Sequence, residues 1–278
     1  MPVLKALLRR KLVLLGLIII VFFVGCAVLA PWVAPYPPDD SPDLSGIPLA
    51  PGAQFWFGTD TLGRDLLSRL IFGSRATLIV AILANTIAVF IGLLVGTTAG
   101  YLRGAVGSIL MRFTDLMTAF PALLLAILLA SMFSPSLWII MVVIALVNWV
   151  QVARVIYTET ISLSEREFIT AEKSLGAGTA RILFKHMVPH VLPTVIVYGT
   201  LGIATTSLTE ATLSFLGIGV QPPTPSWGNM ANEGQTYFTT APWLVFFPSV
   251  CIALLALSFN LIGDALRDIL DPTLRGRH

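Results

Sequence analysis

Residues 164–193, SEREFITAEKSLGAGTARILFKHMVPHVLP, form a polar run set between two apolar ones, and they decide how this chain is read. Ser164 and Glu167 stand at capping-box spacing, which predicts a helix start there. Phe168, Ile169, Ala171 and Leu175 follow at helical spacing, with Glu165, Arg166, Glu172 and Lys173 on the other faces. Gly176 suits the position just past a helix end, because it takes the left-handed backbone without a Cβ clash. A second short segment carries Ile182, Leu183, His186 and Met187, with Arg181 and Lys185 one turn apart. Pro189 and Pro193 are expected to stop it. Neither segment approaches the ~20 apolar residues a bilayer demands, so both are expected outside the hydrocarbon. Two capped helices joined by a glycine hinge make a shaped surface, and such a surface implies a partner.

The rest of the chain supplies the membrane. Of 278 residues 56% are hydrophobic and 12% charged, with a mean hydropathy of +0.86. A soluble domain carries about 25% charged residues, so the composition predicts an all-α polytopic membrane protein, one transmembrane domain over residues 1–278. A net charge of +2 is too small to point to nucleic acid. Cys26 and Cys251 both fall in apolar runs, which argues against a disulfide framework and leaves their redox state open. The basic N-terminus resembles a signal peptide, but residues 12–30 are long enough to span, so an uncleaved first helix is expected.

Six spans are predicted, at about 11–31, 76–100, 116–134, 136–158, 191–216 and 243–263. The third and fourth are separated by Ser134-Pro135-Ser136, which reads as a tight hairpin. With the N-terminus inside, all but Arg64, Arg69 and Arg75 of the 17 basic residues fall on the inner side. Both termini and a 161–190 loop are therefore expected to be cytoplasmic. The external segment 31–75 begins as Pro/Asp-rich irregular chain. From Thr59 it predicts a short amphipathic helix lying in the outer interface. Leu62, Leu66, Leu67, Leu70 and Ile71 would line one side, with i,i+4 pairs Asp60–Arg64 and Asp65–Arg69 on the other. That helix is either a solvated element with surface ion pairs or a part of a gate. The second external segment, 217–242, has no Lys or Arg, and Trp227, Tyr237 and Trp243 are expected at headgroup level.

Catalytic signatures are missing. No G-x-x-x-x-G-K-[ST] is present, so this chain itself is not expected to hydrolyse ATP, and neither H-E-x-x-H nor G-x-S-x-G occurs. No catalytic, cofactor-binding or metal site is expected. His186 and His190 are four apart but have no evident third ligand, so they read as surface histidines. Glu210, in the fifth span beside Thr205, Thr206, Ser207 and Thr209, is the clearest intramembrane charge. Either it lines a path, with Ser214 one turn on, or it is a carboxylate near the outer helix end or one bonded to neighbouring hydroxyls. Asp264 is expected to pair with Arg267 at i+3. One carboxylate and no convincing internal repeat count against an ion-coupled secondary carrier, and nothing suggests a membrane enzyme.

At this point the residues resemble a known family, the inner-membrane permease subunits of bacterial ABC importers of the peptide and nickel class. Residues 164–193 look like the EAA loop of those permeases, in which a proline lies thirteen residues after a glycine. Gly176 and Pro189 hold that spacing, whereas the E-A-A triplet reads Thr170-Ala171-Glu172. The likeness continues through FGTDTLGRDLLSRLIFGSR (57–75), MRFTDLMTAFPALLLA (111–126), EATLSFLGIGVQPPTPSWGNM (210–230) and NLIGDALRDILDP (260–272), as in the second permease subunit of the subgroup.

The resemblance implies a type I-like six-helix permease for short peptides, or for nickel or glutathione. It would pair with a homologous permease, two cytoplasmic ATP-binding subunits and an extracytoplasmic substrate-binding protein in a bacterial inner membrane. It also implies an ATPase-coupling role for Glu167, Ala171, Glu172, Gly176, Ala177, Arg181, His186 and Pro189.

Overall fold

A computed structural model describes residues 7–42 and 48–270. Lys5, Arg275 and Arg277 of the charge tally, residues 43–47 of the first external segment and the end of the 260–272 stretch lie outside the described residues. The elements are α1 (Lys11–Val33), α2 (Leu66–Leu102), α3 (Gly104–Thr118), α4 (Ala122–Ser131) and α5 (Leu137–Ser164). They continue with α6 (Glu167–Ser174), α7 (Thr179–Ile182), α8 (Val188–Phe215), α9 (Trp227–Gly234) and α10 (Trp243–Leu270). A π turn, Leu183–Met187, joins α7 to α8. Among the described residues five helical runs are long and apolar enough to cross a membrane, and the bent pair α3–α4 makes a sixth if taken together.

The central contact is between α2 and α5. Along α2 small residues recur every fourth position, Ala84, Ala88, Gly92, Gly96 and Gly100, which puts them on one face. A Cβ on Gly92 would sit 2.6 Å from Val152 Cβ, and on Gly96 2.6 Å from the Ala153 carbonyl. On Gly100 it would sit 2.7 Å from Thr160 Cβ. Lipid tails are as apolar as leucine, so helices in a bilayer associate through close packing of this kind. α8 lies beside α2 and is tied to it where Asn85 Nδ2 donates to the Gly199 carbonyl at 2.6 Å. α10 packs on α8, with Gly263 against Leu201.

α1 is peripheral, and its one internal proline shows how it is held. Pro31 has no N–H to give the Ala27 carbonyl one turn back, a deficit that hydrocarbon cannot make good. Arg75 of α2 fills it: Nε donates to the Ala27 carbonyl, and Nη2 donates to the Val28 carbonyl at 3.2 Å.

The structure corrects the third span. Instead of one helix over 116–134 there are two, α3 and α4, bent by 87°. Pro121 causes the break, since the residue before a proline is pushed out of the helical region and the proline itself donates nothing. The pair still runs antiparallel to α5. Arg154 of α5 bonds Asp115 of α3 at 2.7 Å, and Ala126 and Ala130 of α4 pack with Ile140, Met141 and Ile144. The hairpin through Pro135 forms as expected, with Ser136 capping α5 by accepting from the Ile139 amide at 3.3 Å.

Two further expectations change. Trp227 is fully buried instead of lying at headgroup level. Its Nε1 donates to the Leu70 carbonyl at 2.9 Å and its ring packs on Phe23 at 4.9 Å, so the indole has both an apolar seat and a polar partner. Asp264 does not pair with Arg267; the neighbouring Asp268 accepts from Arg10 at 2.6 Å and joins the two chain ends.

The glycine seam generates a test. Gly96→Leu should lower the stability of the purified chain by ~3 kcal/mol or more, because the obstacle is backbone and cannot rotate away. Gly25→Leu on α1, with nothing within 4 Å of the new Cβ, should leave it unchanged. Equal melting temperatures in detergent for both variants would refute the seam.

Candidate functional site

The bracket between α5 and α8 is built from short-range rules. α5 runs through Ser164, so the expected capping box is absent: Ser164 Oγ donates to the Ile161 carbonyl at 2.8 Å and accepts from Arg103 Nη2 at 3.0 Å. Only Glu165 and Arg166 separate α5 from α6, whose N-cap is Arg166. α6 ends in a Schellman motif. The Gly176 amide bonds the Lys173 carbonyl and the Ala177 amide bonds the Glu172 carbonyl, both at 3.0 Å. Gly176 has a φ of +81°, the left-handed conformation the sequence predicts.

Pro189 and Pro193 do not stop the second segment. Helix continues from Thr179 to Phe215, because the widened π turn directly precedes Pro189 at the start of α8. The bracket therefore passes into α8 with no loop. Ile169, Ile182 and Met187 form its core with Leu163 of α5, and Tyr101 of α2 packs against that core. Burying each such side chain contributes about 1.5–3 kcal/mol.

Most of the expected coupling residues meet here. Glu172 lies 3.5 Å from His186 Nε2, and Phe168 stacks on His190 at 5.3 Å. His190 Nδ1 donates to the His186 carbonyl at 2.6 Å. Ala177 tucks half-buried against the bracket core, while Glu167, Ala171, Gly176, Arg181 and Pro189 stay exposed around it. Two large apolar residues of the bracket are exposed: Leu175, which periodicity put on the apolar side of its helix, is 84% exposed and Phe184 67%. Lys173, Arg181 and Lys185, near them in sequence, are exposed as well, with the Lys173 ammonium over the Tyr101 ring at 4.8 Å.

The opposite end of the bundle holds a second cluster. No separate amphipathic helix forms from Thr59. Gly58 and Gly63 turn the chain at φ of +83° and +74°, and α2 begins at Leu66. Asp60–Arg64 pairs at 2.7 Å as expected, but Asp65 does not pair with Arg69. Its carboxylate instead caps α2 by accepting from the Ser68 amide at 2.8 Å. Arg69 reaches Asp60 at 2.5 Å and Glu233 of α9 at 2.6 Å, and Arg64 reaches Glu233 at 3.2 Å. Two guanidiniums and two carboxylates thus neutralise one another, with Arg69 only 2% exposed. This is a buried lock and not a solvated helix face. Glu233 escapes the sequence reading, and the signal that could have found it is that it is the one acid within 217–242.

Glu210 and Ser214 are also buried, where α8 meets α9. Ser214 Oγ donates to Glu210 Oε1 at 2.8 Å and accepts from the Val220 amide at 3.1 Å. Gly228 of α9 lets the two helices touch, since a Cβ there would lie 2.7 Å from Ser214 Cβ. Of the readings the sequence left open for Glu210, the hydroxyl-bonded one describes this geometry.

Such an arrangement defines a multi-pass membrane subunit with a rigid, partly apolar bracket at one end. Residues 88–276 match the family described as binding-protein-dependent transport system inner membrane component, and residues 3–51 match the N-terminal TM domain of oligopeptide transport permease C. The chain belongs to this permease family. It is 41% identical over 274 residues to the dipeptide transport system permease protein DppC of Alkalihalophilus pseudofirmus, covering 98% of this chain and 89% of the relative. The oligopeptide transport system permease protein OppC of Bacillus subtilis is 38% identical, covering 96% and 87%. The glutathione transport system permease protein GsiD of Escherichia coli is 36% identical, covering 96% and 88%.

For the ionic lock, Arg69→Met leaves Asp60 and Glu233 sharing one guanidinium and should destabilise the subunit by ~3–5 kcal/mol, read as a fall in melting temperature. Arg154→Met, which breaks an exposed pair to Asp115, should cost no more than ~1 kcal/mol.

Proposed function

We propose that this chain is one half of the transmembrane path of an ATP-driven importer of short peptides, in a bacterial inner membrane. It works with a homologous permease, two ATP-binding subunits and an extracytoplasmic binding protein. The observation that carries this is the bracket. It exposes Leu175 and Phe184 and is continuous with two spanning helices, which is what a lever driven by another subunit requires. Peptides are preferred as cargo because relatives matching nearly the whole chain are named as dipeptide and oligopeptide permeases.

The bracket end is assigned to the cytoplasm. Arg10, Arg103, Arg154, Lys173, Arg181, Lys185 and Arg267 gather there, as the positive-inside rule demands. ATP binding closes the ATPase pair, the pair moves α6, and α5 and α8 move with it because no flexible segment intervenes. Access to the path then alternates between the two sides.

The test is dialanine uptake by the four-component transporter in proteoliposomes, with and without ATP. Uptake that needs ATP supports the reading; uptake by the lone chain down a proton gradient refutes it. Leu175→Asp should weaken ATPase docking about tenfold or more, since a charge replaces the apolar contact at the apex. Gly176→Ala meets no atom within 4 Å, so its cost is the ~1–2 kcal/mol of left-handed strain alone. It should fold and bind the ATPases, yet hydrolyse more ATP per dipeptide moved; an unchanged ratio would argue against the lever.

A further inference from the structure

α5 and α8 pack on one another through Val152, Ile156, Val191 and Val195, and with α10 they border a surface cleft. Its bracket end widens into a cavity of about 540 Å³ whose walls include Glu159, Arg166, His190, Tyr198 and Arg267. Among the described residues Glu159, Arg166 and Arg267 have no ion-pair partner within 4 Å. Polar side chains continue away from the cavity on the same helix faces. On α5, Gln151 stands one turn beyond the cavity-lining Val155 and is exposed, with no hydrogen-bond partner among the described residues. On α8, Thr205 lies two turns beyond Tyr198 and is exposed, and Thr209 one turn further is half-buried. Asn148 Nδ2 donates to Thr206 Oγ1 at 3.2 Å, which sets the two helices side by side at this depth.

The two kinds of polar residue weigh differently. Thr205 and Thr209 donate to the Gly202 and Thr205 carbonyls of their own helix, and could face lipid at little cost. Gln151 has no such internal partner, and an unsatisfied amide against hydrocarbon is expensive. That face calls for water, polar cargo or a polar group of a partner subunit, and the cavity at its end favours the first two.

Resting on the importer reading, we propose that the α5–α8 cleft is this chain's wall of the solute path. Its cavity is a basin for a zwitterionic short peptide, with Glu159 for the ammonium end and Arg166 and Arg267 for the carboxylate end. The volume lies within the range of small-molecule sites, and the charges complement both ends of a free peptide. Glu210 and Ser214 are not part of this wall.

The experiment uses the assembled transporter with Cys26→Ser and Cys251→Ser in this chain. ATP-dependent dialanine uptake by that parent tests the importer reading separately. In it, Gln151→Cys and Thr205→Cys should react with a charged, membrane-impermeant methanethiosulfonate, lose uptake on reaction, and be protected by excess dialanine. Val21→Cys on the exposed side of α1 should stay unreactive. Reaction of the cleft cysteines no faster than Val21→Cys, or reaction that leaves uptake intact, overturns the wall. Glu159→Gln should lower dialanine moved per ATP hydrolysed about tenfold, the effect of losing one bond to a charged group. An unchanged ratio overturns the basin.

Discussion

Everything in this subunit leans on the contact between α2 and α5, where three glycines let two backbones approach without intervening side chains. Gly92, Gly96 and Gly100 are set so that Val152, Ala153, Ile156 and Thr160 fill the space a Cβ would occupy. A helix fixed so closely cannot slide by a fraction of a turn without clashing. α5 is thereby committed on one face to α2 and on another to α3–α4, and it also packs on α8 through Val152 and Ile156. Its end enters the bracket through two residues. α6 is therefore carried directly on the α2–α5 unit.

The two ends of the bundle differ in how firmly they are tied. At the end away from the bracket, Asp60, Arg64, Arg69 and Glu233 form a largely buried, neutral network that bolts the start of α2 to α9. At the bracket end the ion pairs Arg10–Asp268, Arg103–Glu165 and Arg154–Asp115 are about half exposed. Pairs of that kind stabilise by no more than ~1 kcal/mol each. The fold is clamped at one end and only latched at the other.

Much of this was legible in the residues because the signals were local. Hydropathy located five crossings, and Gly176 revealed its own left-handed turn. What was missed depends on partners distant in sequence. Trp227 looked like an interfacial anchor until Leu70 and Phe23 supplied its seat. Asp60 and Arg69 looked like surface charges until Glu233 closed the network. The 116–134 span hid its break at Pro121, because mean hydropathy is blind to a missing amide. Pro189 and Pro193 misled in the opposite sense: a preceding π turn absorbed the first, and the helix tolerated the second. Leu175 reads as core by periodicity, yet the Schellman turn that follows throws it outward.

The elbow at Pro121 also bears on how the chain enters the bilayer. α4 has 10 residues and so reaches only about 15 Å, half the thickness of the hydrocarbon layer. Such a segment is too short to partition on its own during synthesis. It must wait for α5, across the Pro135 turn, and the two must leave the insertion machinery as a hairpin.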